Sequence, residues 1–284
     1  MTESILLCTD LDRTLLPNGE PPESEGARQR FRQLAERPEI RLAYVSGRHQ
    51  ALVQSAIEEF ALPLPDYVIG DVGTTIYEIR GEEWRSWSAW RNEIAPDWGG
   101  LCHGDLLEAL SRFDELTEQE VAKQNTFKVS YYVPEDVDHH RLLRRMHSRL
   151  AALGVRASLI WSIDDLKHVG LLDVLPERAT KLHAIEFLSR HKGYGLNRTV
   201  FAGDSGNDLP VLTSRFPSVL VANAREDVRQ EALEQSQANG TDGRLYLARG
   251  GFLGMNGNYS AGIMEGLAHF LPETEEWMGE ELEA

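Results

Sequence analysis

The sequence predicts an α/β protein: a doubly wound, parallel-sheet (Rossmann-like) core with an inserted α+β domain. Three observations lead to this fold class. Toward both ends of the chain, apolar stretches of strand length alternate with amphipathic stretches of helical length, which is typical of a parallel sheet covered by helices on both faces. A Trp-rich segment interrupts this alternation in the middle. With 284 residues, 42% of them hydrophobic, the chain is long enough for one large domain or two smaller ones.

The first part of the chain alternates strands and helices. The apolar run ILLCTDL, beginning at Ile5, predicts a buried strand. A helix follows from about Ser24, and IRLAYVSGR predicts a second strand that ends at Ser46-Gly47. The segment HQALVQSAIEEFAL is helical in pattern, and DYVIGDVGTTIYEI predicts two short strands around residues 70–73. This order of elements indicates part of a parallel sheet that is covered by helices.

The pattern changes near Gly81, where EEWRSWSAWRNEIAPDWGG begins. The strands predicted after it are TFKVSYYVP and VRASLIWSI. Helices are predicted from Asp105 to Phe113, near Glu118 to Gln124, and from about Val137 to Leu153. We therefore expect an inserted domain at residues 82–168, placed after the third or fourth strand of a core formed by residues 1–81 and 169–284.

The chain is expected to return to the main sheet at HVGLLDVLP. The helix ATKLHAIEFLSRHKG, the strand RTVFAGD, a helix from Pro210, the strand SVLVANA, a helix from Glu226 and the closing helix AGIMEGLAHFL follow. The Gly-rich segment 239–259 has neither the spacing of a dinucleotide loop nor that of a P-loop. A flexible connection and a flap at the mouth of a pocket both remain open for it.

Composition and charge exclude several classes of partner. The chain has 45 acidic and 29 basic residues, a formal charge of −16, which disfavours nucleic acid and anionic membranes. No apolar run approaches the length that spans a membrane. The N-terminus lacks the basic region of a signal peptide, and the two cysteines, Cys8 and Cys102, do not suggest a disulfide framework. We expect a cytoplasmic protein.

Polar residues follow several predicted strands at the point where each strand ends. In open parallel sheets, ligands bind beyond these carboxyl ends. Crowded acids repel one another unless a divalent cation lies among them, and oxygen ligands suit Mg²⁺. A lysine beside that cation would attract phosphate. The residues expected to meet at this edge are Asp10, Asp12, Ser46, Gly47, Arg48, Lys181, Asp204, Asn207 and Asp208.

Each of these residues also has a simpler explanation. Asp10 could be an ordinary loop acid, and Ser46 could cap the following helix. Asp208 could likewise cap a helix that has Pro210 in its first turn, and Lys181 could be a solvated helix residue. The combination at successive strand ends is what favours a site.

That combination resembles the haloacid dehalogenase superfamily. DLDRTLL is similar to its first motif, VSGR to its second, Lys181 to its third and GDSGND to its fourth. Further segments resemble the sucrose-phosphate phosphatase branch over nearly the whole chain: DVGTTIY, FKVSYYV, LLDVLPERATK, VANAREDV and SAGIMEGL. The four motifs are specific for the superfamily, whereas related sugar-phosphate phosphatases share much of the branch pattern.

The resemblance implies roles for the core residues. Asp10 would attack phosphorus and form an aspartyl-phosphate, and Asp12 would protonate the leaving sugar oxygen and later activate water. Ser46 would hydrogen-bond the transferring phosphoryl group, and Lys181 would neutralise its charge. The implied Mg²⁺ ligands are Asp10, the backbone carbonyl of Asp12, Asp204 and Asp208. The implied substrate-binding residues are Ser46, Gly47, Arg48, Lys128, Lys181 and Asn207.

The inserted domain corresponds, by this resemblance, to the cap that contacts the leaving group. In FKVSYYV, alternation places Lys128, Ser130 and Tyr132 on one face of a strand. Lys128 is the cap residue that we expect to contact a sugar. Trp and Tyr side chains of the insert either stack on a sugar ring or form its core. Arg48 either contacts the substrate or pairs with an acid of the cap.

The implied activity is Mg²⁺-dependent hydrolysis of a phosphorylated disaccharide, foremost sucrose 6-phosphate. Mannosylfructose phosphate, glucosylglycerol phosphate, and mannosylglycerate or glucosylglycerate phosphates are alternative substrates. A phosphomutase is less consistent with the large insert. A non-catalytic sugar-phosphate-binding subunit, for example of a sucrose-phosphate synthase, would not need both a nucleophile and an acid. Such a synthase is also the partner protein that the resemblance suggests.

Overall fold

The computed structural model describes residues 4–164 and 168–279. Its contacts divide the chain into a larger unit, residues 1–86 and 181–284, and a smaller unit, residues 87–180. The predicted fold class is confirmed, because the larger unit has a mainly parallel sheet with helices and the smaller unit is an α+β insertion. Within the described residues, no helix is both long and apolar enough to cross a membrane.

The larger unit contains eight of the described strands and seven of the described helices. Its strands are β1 (Ile5–Thr9), β2 (Ile40–Val45), β3 (Tyr67–Gly70), β4 (Thr75–Arg80), β5 (Glu83–Ser86), β10 (Thr199–Gly203), β11 (Ser218–Leu220) and β12 (Leu245–Leu247). Its helices are α1 (Ala27–Ala35), α2 (Gln50–Glu59), α6 (Lys181–Lys192), α7 (Leu209–Leu212), α8 (Glu226–Asn239), α9 (Ser260–Phe270) and α10 (Glu273–Gly279).

The sheet of the larger unit has the strand order β12-β11-β10-β1-β2-β3-β4-β5 over the described residues. The six strands from β12 to β3 are parallel, and β1 lies in the middle with Thr9 beside Ala202 of β10 and Tyr44 of β2. Every residue of β1 is buried, as expected for a central strand covered on both faces. This register brings the ends of β1, β2 and β10 to one edge of the sheet.

An antiparallel hairpin extends the other side of the sheet. β4 pairs with β3, and β5 pairs with β4 through Trp84 opposite Ile79. The insertion therefore follows the fifth strand, and the predicted position after the third or fourth strand was wrong. Residues 83–86, which we expected in the insert, belong to the larger sheet because they complete this hairpin.

The smaller unit is built on one antiparallel sheet with the order β6-β7-β9-β8. Val129, Leu142, Met146, Leu172 and Val174 are among the buried residues that join this sheet to its helices. Its strands are β6 (Thr117–Glu118), β7 (Val129–Pro134), β8 (Ala157–Asp164) and β9 (Val169–Pro176), and its helices are α3 (Ser88–Ile94), α4 (His103–Leu110) and α5 (His139–Ala152).

Two expectations for the smaller unit were wrong. HVGLLDVLP does not return to the main sheet: it forms β9, which pairs with β7 and β8, so the larger unit resumes at Lys181 rather than at residue 169. The helix expected near Glu118–Gln124 is instead the short strand β6 and a single 3₁₀ turn. The backbone N–H of Gln119 donates to the carbonyl of Ser130 (2.9 Å), which holds this segment to the edge of the sheet.

Candidate active site

Three buried carboxyl groups converge at the edge where β1 and β10 end. Asp10 follows β1 directly, and its backbone N–H donates to the carbonyl of Ala202 (2.9 Å). Asp204 follows β10, and Asp208 ends the turn that comes after it. The three residues each offer an oxygen within 4.8 Å of the others. The parallel pairing of β1 and β10 therefore produces the acid cluster that the sequence predicted.

Lys181 supplies positive charge to this cluster. It is the first residue of α6, and its Nζ lies 2.7 Å from Asp208 Oδ1 and 3.2 Å from Asp10 Oδ1. Nζ also donates to Asn207 Oδ1 (3.2 Å). Burial alone would lower the pKa of Lys181, but the charges of Asp10 and Asp208 raise it above its ordinary value. Lys181 is thus a fixed cation rather than a solvated helix residue.

The pKa values of two of the acids reflect their burial. Loss of hydration raises the pKa of Asp10 to about 7, although Lys181 opposes this shift and Asp208 adds to it. Burial and the nearby Asp208 also raise the pKa of Asp204 to about 6, despite a hydrogen bond from Thr14. The cluster holds more negative charge than its lysine neutralises, which is the electrostatic condition for a bound cation.

Asp208 also organises the turn that contains it. Its Oδ2 accepts hydrogen bonds from the backbone N–H groups of Asp204 (3.1 Å) and Ser205 (3.2 Å). A Cβ atom at Gly203 would lie 2.6 Å from Cγ of Asp208, so only glycine permits this approach. Asp208 therefore fixes the position of Asp204 as well as contributing an oxygen to the cluster.

Asp12 has different surroundings from Asp10. Arg48 donates to both of its oxygens, from Nη2 to Oδ1 (2.6 Å) and from Nε to Oδ2 (2.9 Å). Asn18 Nδ2 also donates to Oδ1 (2.8 Å). Partial burial would raise the pKa of Asp12, but the hydrogen bonds and charge of Arg48 lower it below its ordinary range. Arg48 thus pairs with an acid of the larger unit, whereas the sequence led us to expect the substrate or an acid of the cap.

Ser46 and Gly47 lie at the end of β2, the neighbouring strand. Ser46 is buried, and its backbone N–H donates to the carbonyl of Ile69 on β3 (2.8 Å). Its Oγ accepts from the backbone N–H of Arg48 (3.2 Å). A Cβ atom at Gly47 would meet no atom within 4 Å. The turn Ser46-Gly47-Arg48 is therefore open at Gly47.

Three residues of the site were not singled out from the sequence. Thr14 Oγ1 donates to Asp204 Oδ1 (3.0 Å), and Asn18 holds Asp12. Asn223 Nδ2 donates to the carbonyl of Arg13 (2.6 Å). Thr14 and Asn18 lie within ten residues of Asp10, so their proximity was the only available signal. Asn223 falls in the VANAREDV segment, which resembled the branch but carried no assigned role.

In the smaller unit, Lys128 is buried and belongs to a cluster of polar side chains. Its Nζ lies 4.0 Å from Asp173 Oδ1, and Ser130 Oγ donates to the same carboxylate. Lys128 and Ser130 share one face, as the alternation predicted, while Val129 and Val133 are in the core. The role of Lys128 toward a sugar stays a prediction.

Four aromatic residues, three from the Trp-rich stretch and one from FKVSYYV, have different surroundings. Trp90 and Trp98 are completely buried, so they form core. Trp84 belongs to the larger unit and packs edge-on against Tyr77 at a ring-centroid distance of 5.6 Å. Tyr132 is half-buried, and its hydroxyl accepts from Lys123 Nζ (2.7 Å). Of these four, Tyr132 alone combines accessibility with a polar partner.

Comparison with known proteins identifies the family. A family model described as sucrose-6F-phosphate phosphohydrolase matches residues 3–271 of the chain. The chain belongs to that family. As a sucrose-6F-phosphate phosphohydrolase family member, it is a phosphoric monoester hydrolase of the haloacid dehalogenase superfamily, and a sugar-phosphate phosphatase.

Individual relatives of this family member differ in length. A protein described as a HAD-like hydrolase of Nitrosococcus oceani is 55% identical over 98% of the chain, which spans 75% of that relative. Sucrose-phosphatase 1 of Nicotiana tabacum is 29% identical over 94% of the chain and 59% of its own length. Mannosylfructose-phosphate phosphatase of Agrobacterium fabrum is 27% identical over 93% of the chain and 96% of its own length.

A solved structure is similar over nearly the same extent. The sucrose-phosphatase of Synechocystis sp. PCC6803, in complex with sucrose and phosphate, has a TM-score of 0.68 and 25% identity. The similarity covers 94% of this chain and 98% of the cyanobacterial one. The fold of this family member is therefore that of a sugar phosphatase.

Proposed function

We propose that the chain hydrolyses a phosphorylated disaccharide, and that sucrose 6-phosphate is its substrate. The observation that carries this proposal is the meeting of Asp10, Asp204 and Asp208 with the Nζ of Lys181 at one strand edge. A nucleophile, a cation-binding group and a phosphate-attracting lysine are the components that phosphoryl transfer requires. The family match and the similarity to a sucrose-phosphatase support the choice of substrate.

In the first step, an Oδ atom of Asp10 attacks phosphorus, and the bond from phosphorus to the sugar oxygen breaks. Asp12 donates a proton to that oxygen, so the sugar leaves as an alcohol. Arg48 keeps Asp12 ionised in the free protein. A phosphate dianion placed beside Asp12 raises the pKa of that carboxyl by like-charge repulsion, which allows it to take up the proton.

In the second step, water attacks the phosphorus of the aspartyl-phosphate. Asp12 removes a proton from that water, and the Asp10–phosphorus bond breaks to release inorganic phosphate. Lys181 balances the negative charge of the phosphoryl group, and Ser46 donates a hydrogen bond to it. Spontaneous hydrolysis of phosphate monoesters is so slow that enzymes accelerate it by up to ~10²¹. Several groups must therefore contribute together.

The acid cluster fits Mg²⁺. Its three buried residues present hard oxygen donors within 4.8 Å of one another, and oxygen ligands of this type suit Mg²⁺. Asp10, Asp204 and Asp208 would hold the ion, together with the Asp12 carbonyl expected from the resemblance. When bound, Mg²⁺ would neutralise charge on the phosphoryl oxygens and orient them for displacement. Ca²⁺ should substitute poorly, because it takes more ligands at longer distances.

Mannosylfructose phosphate is the second candidate substrate. The mannosylfructose-phosphate phosphatase of Agrobacterium fabrum matches this chain over 96% of its own length. In this scheme the core residues act only on the phosphoryl group and the leaving oxygen, so the residues that choose the sugar must lie elsewhere. We assign that choice to the smaller unit, with Lys128 as its foremost candidate. Association with a sucrose-phosphate synthase stays a prediction.

Phosphate release from a panel of substrates tests the proposal. The panel contains sucrose 6-phosphate, mannosylfructose phosphate, glucosylglycerol phosphate and the two glycosylglycerate phosphates, each with Mg²⁺, with excess chelator, and with Ca²⁺. We expect the highest kcat/KM for sucrose 6-phosphate, loss of activity in chelator, and recovery with Mg²⁺. Asp10→Asn is the control for contaminating phosphatases. Binding of sugar phosphates without any phosphate release would instead identify a non-catalytic binding subunit.

A further inference from the structure

The residue after Asp12 has an unusual backbone conformation. Arg13 has a φ of 60°, in the left-handed region. This region is unfavourable for a residue that carries a side chain. Such conformations persist only where surrounding contacts enforce them. The contacts that hold Arg13 therefore also determine where the preceding carboxyl group points.

Both polar groups of the Arg13 backbone are bound by asparagine side chains. Its N–H donates to Asn18 Oδ1 (2.8 Å), and Nδ2 of the same asparagine donates to Asp12 Oδ1 (2.8 Å). On the other side, Asn223 Nδ2 donates to the Arg13 carbonyl (2.6 Å). A continuous chain of hydrogen bonds thus runs from Asn223 through Arg13 and Asn18 to the Asp12 carboxylate.

Asn223 is itself fixed by the end of the Gly-rich segment. Its Oδ1 accepts from the backbone N–H of Tyr259 (2.8 Å). Tyr259 is completely buried, and its hydroxyl donates to the carbonyl of Pro21 (2.8 Å). The side chains of Asn256 and Asn258 both donate to the Pro22 carbonyl, at 2.9 and 3.0 Å. The segment that ends at residue 259 is thus a support for the loop after Asp12, which differs from both a flexible connection and a flap.

We propose that Asn223 is a positioning residue for Asp12, acting through the Arg13 peptide. This inference rests on the acid and base role of Asp12 in the proposed function. Without the Asn223 hydrogen bond, Arg13 can relax from its left-handed conformation, and the Asp12 carboxyl group then keeps the contact with Arg48 but loses the support of the loop that follows it. Asn223 itself contacts neither the acid cluster nor Lys181 in the described contacts.

The effect of a displaced Asp12 on the reaction rate depends on the leaving group. A sugar oxygen needs a proton to leave, whereas p-nitrophenolate leaves as a stable anion. Displaced Asp12 should therefore slow the first step with a sugar phosphate and leave that step unchanged with p-nitrophenyl phosphate. Hydrolysis of the aspartyl-phosphate also needs Asp12, as a base. With p-nitrophenyl phosphate we thus expect a rapid first turnover followed by a slow steady state.

The variant that tests this link is Asn223→Asp. It keeps an oxygen for the Tyr259 N–H but replaces the donor to the Arg13 carbonyl with a carboxylate oxygen. Asn223→Ala removes both bonds and serves as the second variant if the first folds poorly. The matched control is Asn239→Asp, at the last residue of α8, where the Asn239 side-chain amide likewise donates to a backbone carbonyl, that of Thr213 (3.2 Å). Asp12→Asn is the reference for complete loss of the acid.

For Asn223→Asp with Mg²⁺, we expect kcat/KM for the sugar phosphate to fall about 10- to 100-fold, within the range of general acid catalysis. The first-turnover rate with p-nitrophenyl phosphate should stay within about threefold of the wild-type rate. Asp12→Asn should give the same pattern more strongly, and Asn239→Asp should show neither change. Melting temperatures measured in parallel report any loss of folded protein.

Two results would overturn this inference without affecting the proposed function. One is an Asn223→Asp variant that matches the wild type on both substrates, and the other is an equal first-turnover loss on both, as in general destabilisation. In either case, the leaving-group pattern of Asp12→Asn would leave the proposed function intact. If Asp12→Asn itself lacks this pattern, the acid role of Asp12 is wrong and the inference fails with it.

Discussion

At the scale of single residues, Asp10 and Asp12 are separated by one residue, yet their carboxyl groups have pKa values shifted in opposite directions. Burial raises the pKa of Asp10 to about 7, whereas the hydrogen bonds and charge of Arg48 outweigh burial and lower the pKa of Asp12. The strand ends at Thr9, so the chain is free to turn after it, and Asp10 stays among the buried strand ends while Asp12 lies against Arg48. Environments that separate pKa values in this way allow two chemical roles for one residue type.

Substitution of each aspartate should separate these roles. Asp10→Asn should abolish both turnover and the phosphoenzyme, because the amide is not a nucleophile toward phosphorus. Asp12→Asn should still form phosphoenzyme from p-nitrophenyl phosphate but should slow turnover of the sugar phosphate by about 10²–10⁴-fold. Rapid-quench measurement of acid-stable phosphoprotein distinguishes the two variants. Normal turnover in either one would contradict the mechanism.

The raised pKa of Asp204 predicts a stability effect with a defined sign. Its pKa rises from 3.8 to about 6 on folding, so the folded protein binds its proton more tightly than the unfolded chain. The resulting stability is present below pH 3.8 and is lost as the pH rises through about 6. A pKa rise of this size corresponds to about 3 kcal/mol at most.

Asp204→Asn should therefore stabilise the metal-free protein. The gain in the free energy of unfolding should be small near pH 4 and largest above pH 6, since the ionised carboxylate is the unfavourable form. Urea titrations in chelator at several pH values measure it, and Mg²⁺ should reverse the order by stabilising only the wild type. A gain that does not depend on pH would indicate a different cause.

At the scale of secondary structure elements, the end of α2 contains a residue that is unfavourable for its position. Ala61 has a φ of 50°, and the N–H of Leu62 returns to the carbonyl of Ile57 (2.9 Å). This is the helix ending in which glycine is preferred, because a Cβ atom is unfavourable in the left-handed region. Ala61 is exposed, so its methyl group contributes little to the core.

Ala61→Gly should stabilise the protein by about 0.5 to 1 kcal/mol, since relief of strain exceeds the added entropy of the unfolded chain. The matched control is Ala51→Gly in the first turn of the same helix, where Ala51 is also exposed. That change should destabilise by about 0.5 to 1 kcal/mol. Denaturant midpoints of both variants decide the question, and shifts of the same sign would refute the explanation.

At the scale of the whole molecule, the groups proposed to act on phosphate and the groups proposed to contact the sugar belong to different units. The acid cluster and Lys181 belong entirely to the larger unit, whereas Lys128, Ser130 and Asp173 belong to the smaller one. Groups that act on phosphate alone cannot distinguish one sugar from another. A site that hydrogen-bonds sugar hydroxyls rejects analogues without them, because its buried polar groups would stay unpaired.

Lys128→Ala should therefore reduce kcat/KM for the physiological disaccharide phosphate by about tenfold or more. Turnover of p-nitrophenyl phosphate should change little. Because Lys128 is buried beside Asp173, Lys128→Met is the companion variant that keeps the apolar part of the side chain. Equal losses on both substrates would place Lys128 in the folding of the smaller unit rather than in sugar recognition.

The fold class, the strand-end acids and the order of the four motifs could be predicted from the amino-acid sequence. Its success has a local cause: a completely buried strand such as β1 must be a continuous apolar run, and polar residues at its end are then conspicuous. Asp10, Ser46 and Asp204 were found for this reason, and Lys181 from its place in the first turn of the helix ATKLHAIEFLSRHKG. Parallel pairing brings such ends to one edge whatever the details of the loops.

The tertiary fold sets which distant residues support that edge. Thr14 and Asp204 are 190 residues apart, and Arg13 and Asn223 are 210 apart, so no local pattern links them. It also decided that β9 belongs to the smaller sheet. In β9, Gly170, Leu172 and Val174 are buried while the residues between them are partly exposed. Leu171 conceals that alternation in the sequence, because an apolar side chain can lie on the open face of an antiparallel sheet as well as in its core.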